Sequence, residues 1–130
     1  MFKDSNAFSG FAVKDLAAAK AFYGETLGLD ARDGPMDMLE LHLGNGAVVL
    51  VYPKEDHQPA NYTMLNLQVK DVDAAVDQLT KAGVRMEHYG PDFGQDEKGI
   101  ARDERGPTIA WFKDPSGNII AVLDEGPPPA

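Results

Sequence analysis

The spacing of hydrophobic positions changes in the same order twice along the chain. Apolar residues alternate with other residues over 8–14 and again over 63–70, which is typical of β-strands. After each stretch the apolar spacing widens to three or four residues, over 16–27 and 72–82, which predicts amphipathic helices. Three short strand-like segments follow each helix, and one of those in the second half carries His88. The pattern therefore predicts the order βαβββ, repeated once.

Both predicted helices carry the same boundary residues. Asp15 and Asp71 stand at the N-cap position, where a carboxylate accepts a hydrogen bond from a free backbone N–H. Gly28 and Gly83 follow the last apolar positions, where glycine readily adopts the left-handed conformation that ends a helix. These residues fix where we expect each helix to begin and end.

The two halves also share short runs of similar residues. Val13-Lys14-Asp15-Leu16 recurs as Val69-Lys70-Asp71-Val72, and Gly46-Ala47-Val48-Val49-Leu50-Val51 matches Gly117-Asn118-Ile119-Ile120-Ala121-Val122. A tandem duplication explains these matches. We expect one domain over 1–124, with modules at about 1–52 and 63–124 and a linker at 53–62. The proline-rich end, 125–130, is expected to be a flexible tail.

Composition excludes several kinds of site and partner. The 130 residues carry a net charge of −9, which disfavours nucleic-acid backbones. With no cysteine, the chain has no disulfide and no thiolate nucleophile or ligand. It also lacks an apolar run long enough to span a bilayer and begins without a secretion signal, so we expect a cytoplasmic protein with no membrane partner.

Two motifs and the duplication together resemble the vicinal oxygen chelate superfamily, which includes glyoxalase I, extradiol dioxygenases, and fosfomycin- and bleomycin-resistance proteins. The motifs are Val13-Lys14-Asp15-Leu16 with Ala21-Phe22-Tyr23 and Leu27-Gly28-Leu29, and Trp111-Phe112-Lys113-Asp114-Pro115-Ser116-Gly117-Asn118. The resemblance implies an α+β fold in which two tandem βαβββ modules form a curved mixed sheet around a cavity.

Metal-using members of that family hold a divalent ion with His and Glu residues from the first and last strands of each module. The matching positions in this chain are Phe8, Leu50, Met64 and Ala121. A divalent ion needs several converging N, O or S donors, and a thioether suits soft copper instead. We therefore expect neither a family-type metal site nor a cofactor.

The alternation of side chains along each strand predicts which residues line the cavity. A two-residue turn at Asn45-Gly46 would pair Leu41 with Leu50. That pairing would place Leu39 and Leu41 in the cavity and turn Glu40 and His42 outward. A turn over 114–117 would likewise pair Phe112 with Ile119. The expected ligand-binding residues are Phe8, Leu50, Tyr52, Met64, Asn66, Gln68, Phe112 and Ala121. This set is mostly apolar, with two carboxamides and one phenol, as small-molecule pockets are.

Three functions fit this pattern. The first is a metal-free protein that binds a small organic molecule, similar in kind to the bleomycin-resistance group, which works as a homodimer. The second is a glyoxalase-like lyase or isomerase, or a dioxygenase, with an atypical or metal-independent site acting through Tyr52, Glu87 or His88. The third is a subunit with a vestigial pocket. The charged segment 92–105 is interpreted as a solvated loop, with a lid as the alternative. No catalytic residue is assigned.

Overall fold

The computed structural model describes residues 1–102 and 106–125. Two compact units make up the chain, Met1–Gln58 and Pro59–Ala130, and each is described by itself below. The predicted tail lies outside the described residues except for Glu125, as does part of the charged segment 92–105. Among the residues described, none of the helices has the length and hydrophobicity needed to cross a membrane.

The first unit is a four-stranded mixed sheet with one helix. Its elements are β1 (Ser9–Val13), α1 (Leu16–Lys20) continuing as a π-helical turn (Ala21–Thr26), β2 (Asp30–Asp33), β3 (Leu39–His42) and β4 (Val48–Pro53). The strand order is β1-β4-β3-β2. Strand β1 runs parallel to β4, and the other neighbours are antiparallel.

Helix α1 begins where the sequence predicts. The Asp15 carboxylate accepts a hydrogen bond from the Ala18 amide at 3.1 Å, which caps the helix. On the predicted apolar stripe of this helix, Tyr23 is completely buried and Ala19 nearly so. The Tyr23 ring lies 5.6 Å from the ring of Phe11 on β1, so this side of the sheet is the one covered by the helix.

The second unit repeats this plan with a three-stranded sheet. Its elements are β5 (Thr63–Val69), α2 (Val72–Lys81), β6 (Ile109–Lys113) and β7 (Ile119–Asp124), in the strand order β5-β7-β6. Asp71 caps α2 by accepting a hydrogen bond from the Ala74 amide at 3.0 Å. Val72, Val76 and Leu79 form the buried stripe of α2.

These elements confirm the predicted α+β class with two βαβββ-like modules and mixed sheets. The predicted strand that carries His88 is reduced to a single bridge between Met86 and Phe112. The strand prediction for His88 is therefore wrong. The Gln95 side chain takes up the Glu87 carbonyl and the Tyr89 amide, and Ala101 bonds to both backbone groups of Ile109, so the groups that a longer ladder would use are already occupied.

Candidate functional site

The hairpin between β3 and β4 has a different register from the one predicted. Glu40 pairs with Leu50, and Leu41 pairs with Val49, so the predicted pairing of Leu41 with Leu50 is wrong. The loop holds three residues, 44–46, because the Leu43 amide donates a hydrogen bond to the Ala47 carbonyl at 2.9 Å. Gly46 ends this loop with a φ of +86°, which favours glycine. One extra loop residue moves every β3 side chain to the other face of the sheet.

This register defines the side of the first sheet that faces away from α1, which we call the first-unit face. Leu39 and Leu41, which were predicted to line the cavity, are instead buried on the helix side. The first-unit face comprises Gly10, Ala12, Asp30, Arg32, Glu40, His42, Val48, Leu50 and Tyr52. It therefore carries Glu40 and His42, which the predicted register turned outward.

Two of the three predicted site residues in this unit lie on the first-unit face. Leu50 is half-buried there, and Tyr52 is 39% exposed. Phe8 precedes β1 and is 74% exposed. Beside Leu50, a Cβ atom at Gly10 would lie 3.1 Å from the Leu50 carbonyl oxygen, so the absence of a side chain at Gly10 keeps β1 and β4 close and this part of the face flat.

The charged groups of the first-unit face form two pairs on adjacent strands. On β3, His42 Nε2 lies 2.9 Å from Glu40 Oε1. On β2, Arg32 donates two hydrogen bonds to Asp30, at 3.1 and 2.7 Å. The Arg32 guanidinium lowers the pKa of Asp30, and Asp30 raises the pKa of Arg32 in return. Asp30 pairs with His42 across the ladder, and Arg32 with Glu40.

The second hairpin departs from its predicted register by the same single residue. Phe112 pairs with Ile120, not with Ile119, because the loop again holds three residues, 115–117. Phe112 is completely buried on the helix-covered side, so the structure does not bring it together with Asn66 and Gln68. Trp111 takes its place on the opposite side, which we call the second-unit face.

The second-unit face comprises Thr63, Asn66, Gln68, Ile109, Trp111, Lys113, Ile119, Ala121 and Leu123. Trp111 on β6 donates a hydrogen bond from its indole nitrogen to the Thr63 hydroxyl on β5, at 3.2 Å. Strand β7 lies between those two strands. Because neighbouring strands are about 4.8 Å apart, the indole must extend across β7 to make this bond. Ala121, the residue of β7 directly opposite Trp111, is completely buried.

The predicted carboxamides lie on the same face. Asn66 pairs with Ala121 along the ladder and is exposed. Gln68, also exposed, donates a hydrogen bond to the Glu125 carbonyl at 3.4 Å. Met64 is half-buried at a bulge in β5, where it has no partner in the register of β7. The structure therefore brings Asn66, Gln68 and Ala121 together.

Two more aromatic rings join Trp111, and we call Tyr89, Phe93 and Trp111 the aromatic cluster. The Tyr89 ring packs edge-to-face on Trp111 with centroids 5.4 Å apart, and Phe93 lies 5.8 Å from Tyr89. Tyr89 is 39% and Phe93 is 57% exposed, so a ligand can reach them. Burial raises the pKa of the Tyr89 phenol, and the negative charge of Glu87 adds to that rise.

One glutamine side chain holds the segment that carries these rings. Gln95 Oε1 accepts a hydrogen bond from the Tyr89 amide at 2.6 Å, and Nε2 donates to the carbonyls of Glu87 and Gly99 at 3.0 and 2.8 Å. All three bonds are to backbone, so they fix the path of the chain and not merely one side chain. Gln95 therefore sets the position of Tyr89 and Phe93 relative to Trp111.

Ion pairs tie the described part of the charged segment to α2. Arg102 donates a hydrogen bond to Asp73 at 2.7 Å, and Lys98 lies 3.0 Å from Asp77. The hydrogen bond from Arg102 lowers the pKa of the Asp73 carboxyl. This attachment holds the segment that follows Gln95 against the helix.

The residues at the family's metal-ligand positions do not fit a divalent ion. Phe8, Leu50 and Ala121 offer no donor atom, and Met64 offers a thioether. Within 1–102 and 106–125, His, Asp and Glu side chains form no group of three or more suited to a metal ion. The crossing indole of Trp111 covers the space that a longer side chain at position 121 would enter.

Sequence reasoning missed Glu40 and His42 on the first-unit face, and Trp111 and Tyr89 in the aromatic cluster. Glu40 and His42 were excluded by the one-residue error in register, and Trp111 and Tyr89 were not selected. Two signals were present: Trp111 is the single tryptophan of the sequence, and Gly44-Asn45-Gly46 also permits a three-residue loop.

Comparison with known proteins places the chain in a family. The model of the Glyoxalase/Bleomycin resistance protein/Dioxygenase superfamily matches residues 7–122. TnmS3, an antibiotic-binding protein from Streptomyces sp. CB03234, has a similar solved structure, with 26% identity, a TM-score of 0.68, and coverage of 93% of this chain and 97% of that one. The fosfomycin resistance protein FosX from Listeria monocytogenes shares the fold, with 14% identity, a TM-score of 0.70 and 93% coverage of each chain.

A lactoylglutathione lyase from Agrobacterium tumefaciens also shares the fold, at 18% identity and a TM-score of 0.68, over 93% of this chain and 94% of that one. No curated protein matches by sequence. The family model spans nearly all the described residues and both modules. The chain therefore belongs to the glyoxalase/bleomycin resistance protein/dioxygenase superfamily.

Proposed function

We propose that this protein binds a small organic molecule with a planar aromatic part, without a metal ion, on the second-unit face. The observation that carries the proposal is the indole of Trp111, which extends across β7 at the position of Ala121. A hydrogen bond at its nitrogen fixes the ring in place, so its exposed surface is ready for stacking before a ligand arrives. Stacking on a fixed ring costs little conformational entropy.

Polar groups beside the indole would orient the bound ligand. Within the described residues the Asn66 side chain makes no hydrogen bond, and it is exposed next to Ala121. A carboxamide has both donor and acceptor atoms, which suits carbonyl and hydroxyl groups on a ligand ring. The similarity to TnmS3, an antibiotic-binding protein, supports a binding role over a catalytic one.

Calorimetric titration with two planar dyes tests this proposal. One is neutral 1,4-dihydroxyanthraquinone and the other is cationic proflavine. We expect at least one to bind, and Trp111→Leu to weaken that binding by tenfold or more, since tenfold corresponds to about 1.4 kcal/mol and aromatic contacts contribute about this much. Phe2→Leu, at an exposed ring in the first unit, is the matched control and should change nothing.

Failure of both dyes to bind, or equal binding by Trp111→Leu, would contradict the proposal. Elemental analysis of protein purified without chelators tests its metal-free part, because one equivalent of bound nickel, zinc, manganese or iron would favour the enzymatic alternative. We also propose a homodimer, which the resemblance to the bleomycin-resistance group implies, and a cytoplasmic location; sedimentation velocity of the purified chain tests the dimer.

A further inference from the structure

A carboxylate–imidazole pair lies on the first-unit face. Glu40 and His42 are two residues apart on β3, so their side chains leave the same side of the sheet. Glu40 Oε1 lies 2.9 Å from His42 Nε2. The side chains are 29% and 27% exposed, which leaves them partly desolvated and still reachable by a small molecule.

The hydrogen bond determines which imidazole nitrogen is free. An ionised carboxylate has only acceptor atoms, so Nε2 must carry the hydrogen and donate it to Glu40. Nδ1 of the neutral ring then holds the lone pair. Across residues 1–102 and 106–125, Nδ1 makes no hydrogen bond of its own, which leaves it available as a base. A carboxylate orients the catalytic histidine of a Ser-His-Asp triad in the same way, although there Nδ1 carries the hydrogen and Nε2 is the base.

The surroundings of the pair suit an apolar substrate that carries an acidic C–H group. Val48 is directly opposite His42, and Leu50 is directly opposite Glu40, and both are half-buried. On the other flank, Arg32 pairs with Glu40 along the ladder and Asp30 pairs with His42. Aliphatic side chains therefore lie on one side of the base, and the Asp30–Arg32 ion pair lies on the other.

We propose that Glu40 and His42 form a metal-independent general base that removes a proton from carbon. His42 Nδ1 accepts the proton, and the electron pair of the broken C–H bond stays on the substrate. Glu40 stabilises the resulting imidazolium, which later returns the proton to the substrate or to water. The substrate class is an uncharged carbon acid, such as a compound with a hydrogen next to a carbonyl. All the residues of this proposed base lie in the first unit.

The probe is 5-nitrobenzisoxazole, an apolar ring system that needs only a base. Its C–H proton goes to His42, the C–H electrons form the nitrile, and the N–O bond breaks with its pair on oxygen to give a coloured phenolate. We expect His42→Gln to lower the protein-dependent rate about 100-fold, which is in the range that a positioned base contributes. Glu40→Gln should lower it at least about tenfold, since its amide can bind the wrong tautomer of the ring.

Two further measurements separate catalysis from stability. Added imidazole should restore part of the rate of His42→Ala, which a purely structural role for His42 would not allow. His57→Gln, at a histidine elsewhere in the same unit, should keep the full rate. Equal rates for the unmodified chain and a folded His42→Gln variant would overturn the proposal, and so would His42→Ala that imidazole leaves unchanged.

Discussion

The indole nitrogen of Trp111 donates a hydrogen bond to the hydroxyl of Thr63, 3.2 Å away and two strands across the sheet. Thr63→Val keeps the shape of the side chain and removes the acceptor. We expect a loss of about 1 kcal/mol in the free energy of unfolding. Fluorescence from Trp111, the single tryptophan, should also become easier to quench with acrylamide. Thr80→Val on the exposed side of α2 should leave the quenching unchanged.

Enlarging Ala121 should displace the indole. Ala121 is completely buried opposite Trp111, so Ala121→Leu forces added atoms into the space the ring crosses. Overpacking of this kind destabilises proteins by about 1–3 kcal/mol, and the emission of Trp111 should shift to longer wavelength in the still-folded protein. Ala110→Leu provides the contrast, because Ala110 is equally buried on the other side of the sheet. It should lower stability without that shift; an identical shift would refute the assigned position of the indole.

Gln95 should be required for the position of the aromatic cluster. Gln95→Ala removes three hydrogen bonds to backbone, at Tyr89, Glu87 and Gly99. We expect about 1–3 kcal/mol of destabilisation from polar groups left without a partner. Amide hydrogen exchange at Tyr89 should accelerate, and the aromatic circular dichroism should weaken. Gln78→Ala, at an exposed position on α2, is the matched control. Unchanged exchange at Tyr89 would show that another contact holds the segment.

The Asp73–Arg102 pair makes a prediction about pH. The hydrogen bond from Arg102 holds the pKa of Asp73 below its ordinary value of 3.8. A lowered folded-state pKa means that the pair stabilises the fold above pH 3.8, and that this contribution is lost as the pH falls through the lowered value. In an NMR titration, Arg102→Gln should raise the pKa of Asp73 toward 3.8. Lys81→Gln removes a cation elsewhere on α2 and should have little effect.

The elements of this fold follow from local sequence signals. Asp15 and Asp71 cap the helices as expected, because capping depends on a side chain and the amide three residues later. The hairpin registers were wrong because they depend on whether a turn holds two or three residues. Gly46 and Gly117 permit either turn. A difference of one residue in the turn moves the side chains of a whole strand to the other face of the sheet. This is why Glu40 and His42 were missed and Phe112 was wrongly selected.

The aromatic cluster could not be predicted for a different reason. Its geometry depends on Gln95, whose amide joins three backbone groups that are four to eight residues away. No periodicity marks a residue of this kind, since its role arises only after the segment around it has folded. The face on which Trp111 lies could have been predicted from the sequence, because Trp111 alternates with Phe112 and its face follows directly from the correct register.

The indole that crosses β7 limits which substitutions can separate this chain from metal-binding relatives. Replacing Ala121 with glutamate would not by itself recreate a coordinating side chain, because Trp111 and Thr63 close the space above that position. We therefore expect a glutamate at position 121 only together with a smaller side chain at position 111. The two positions should therefore vary together among relatives, with a bulky ring at one accompanying a small residue at the other.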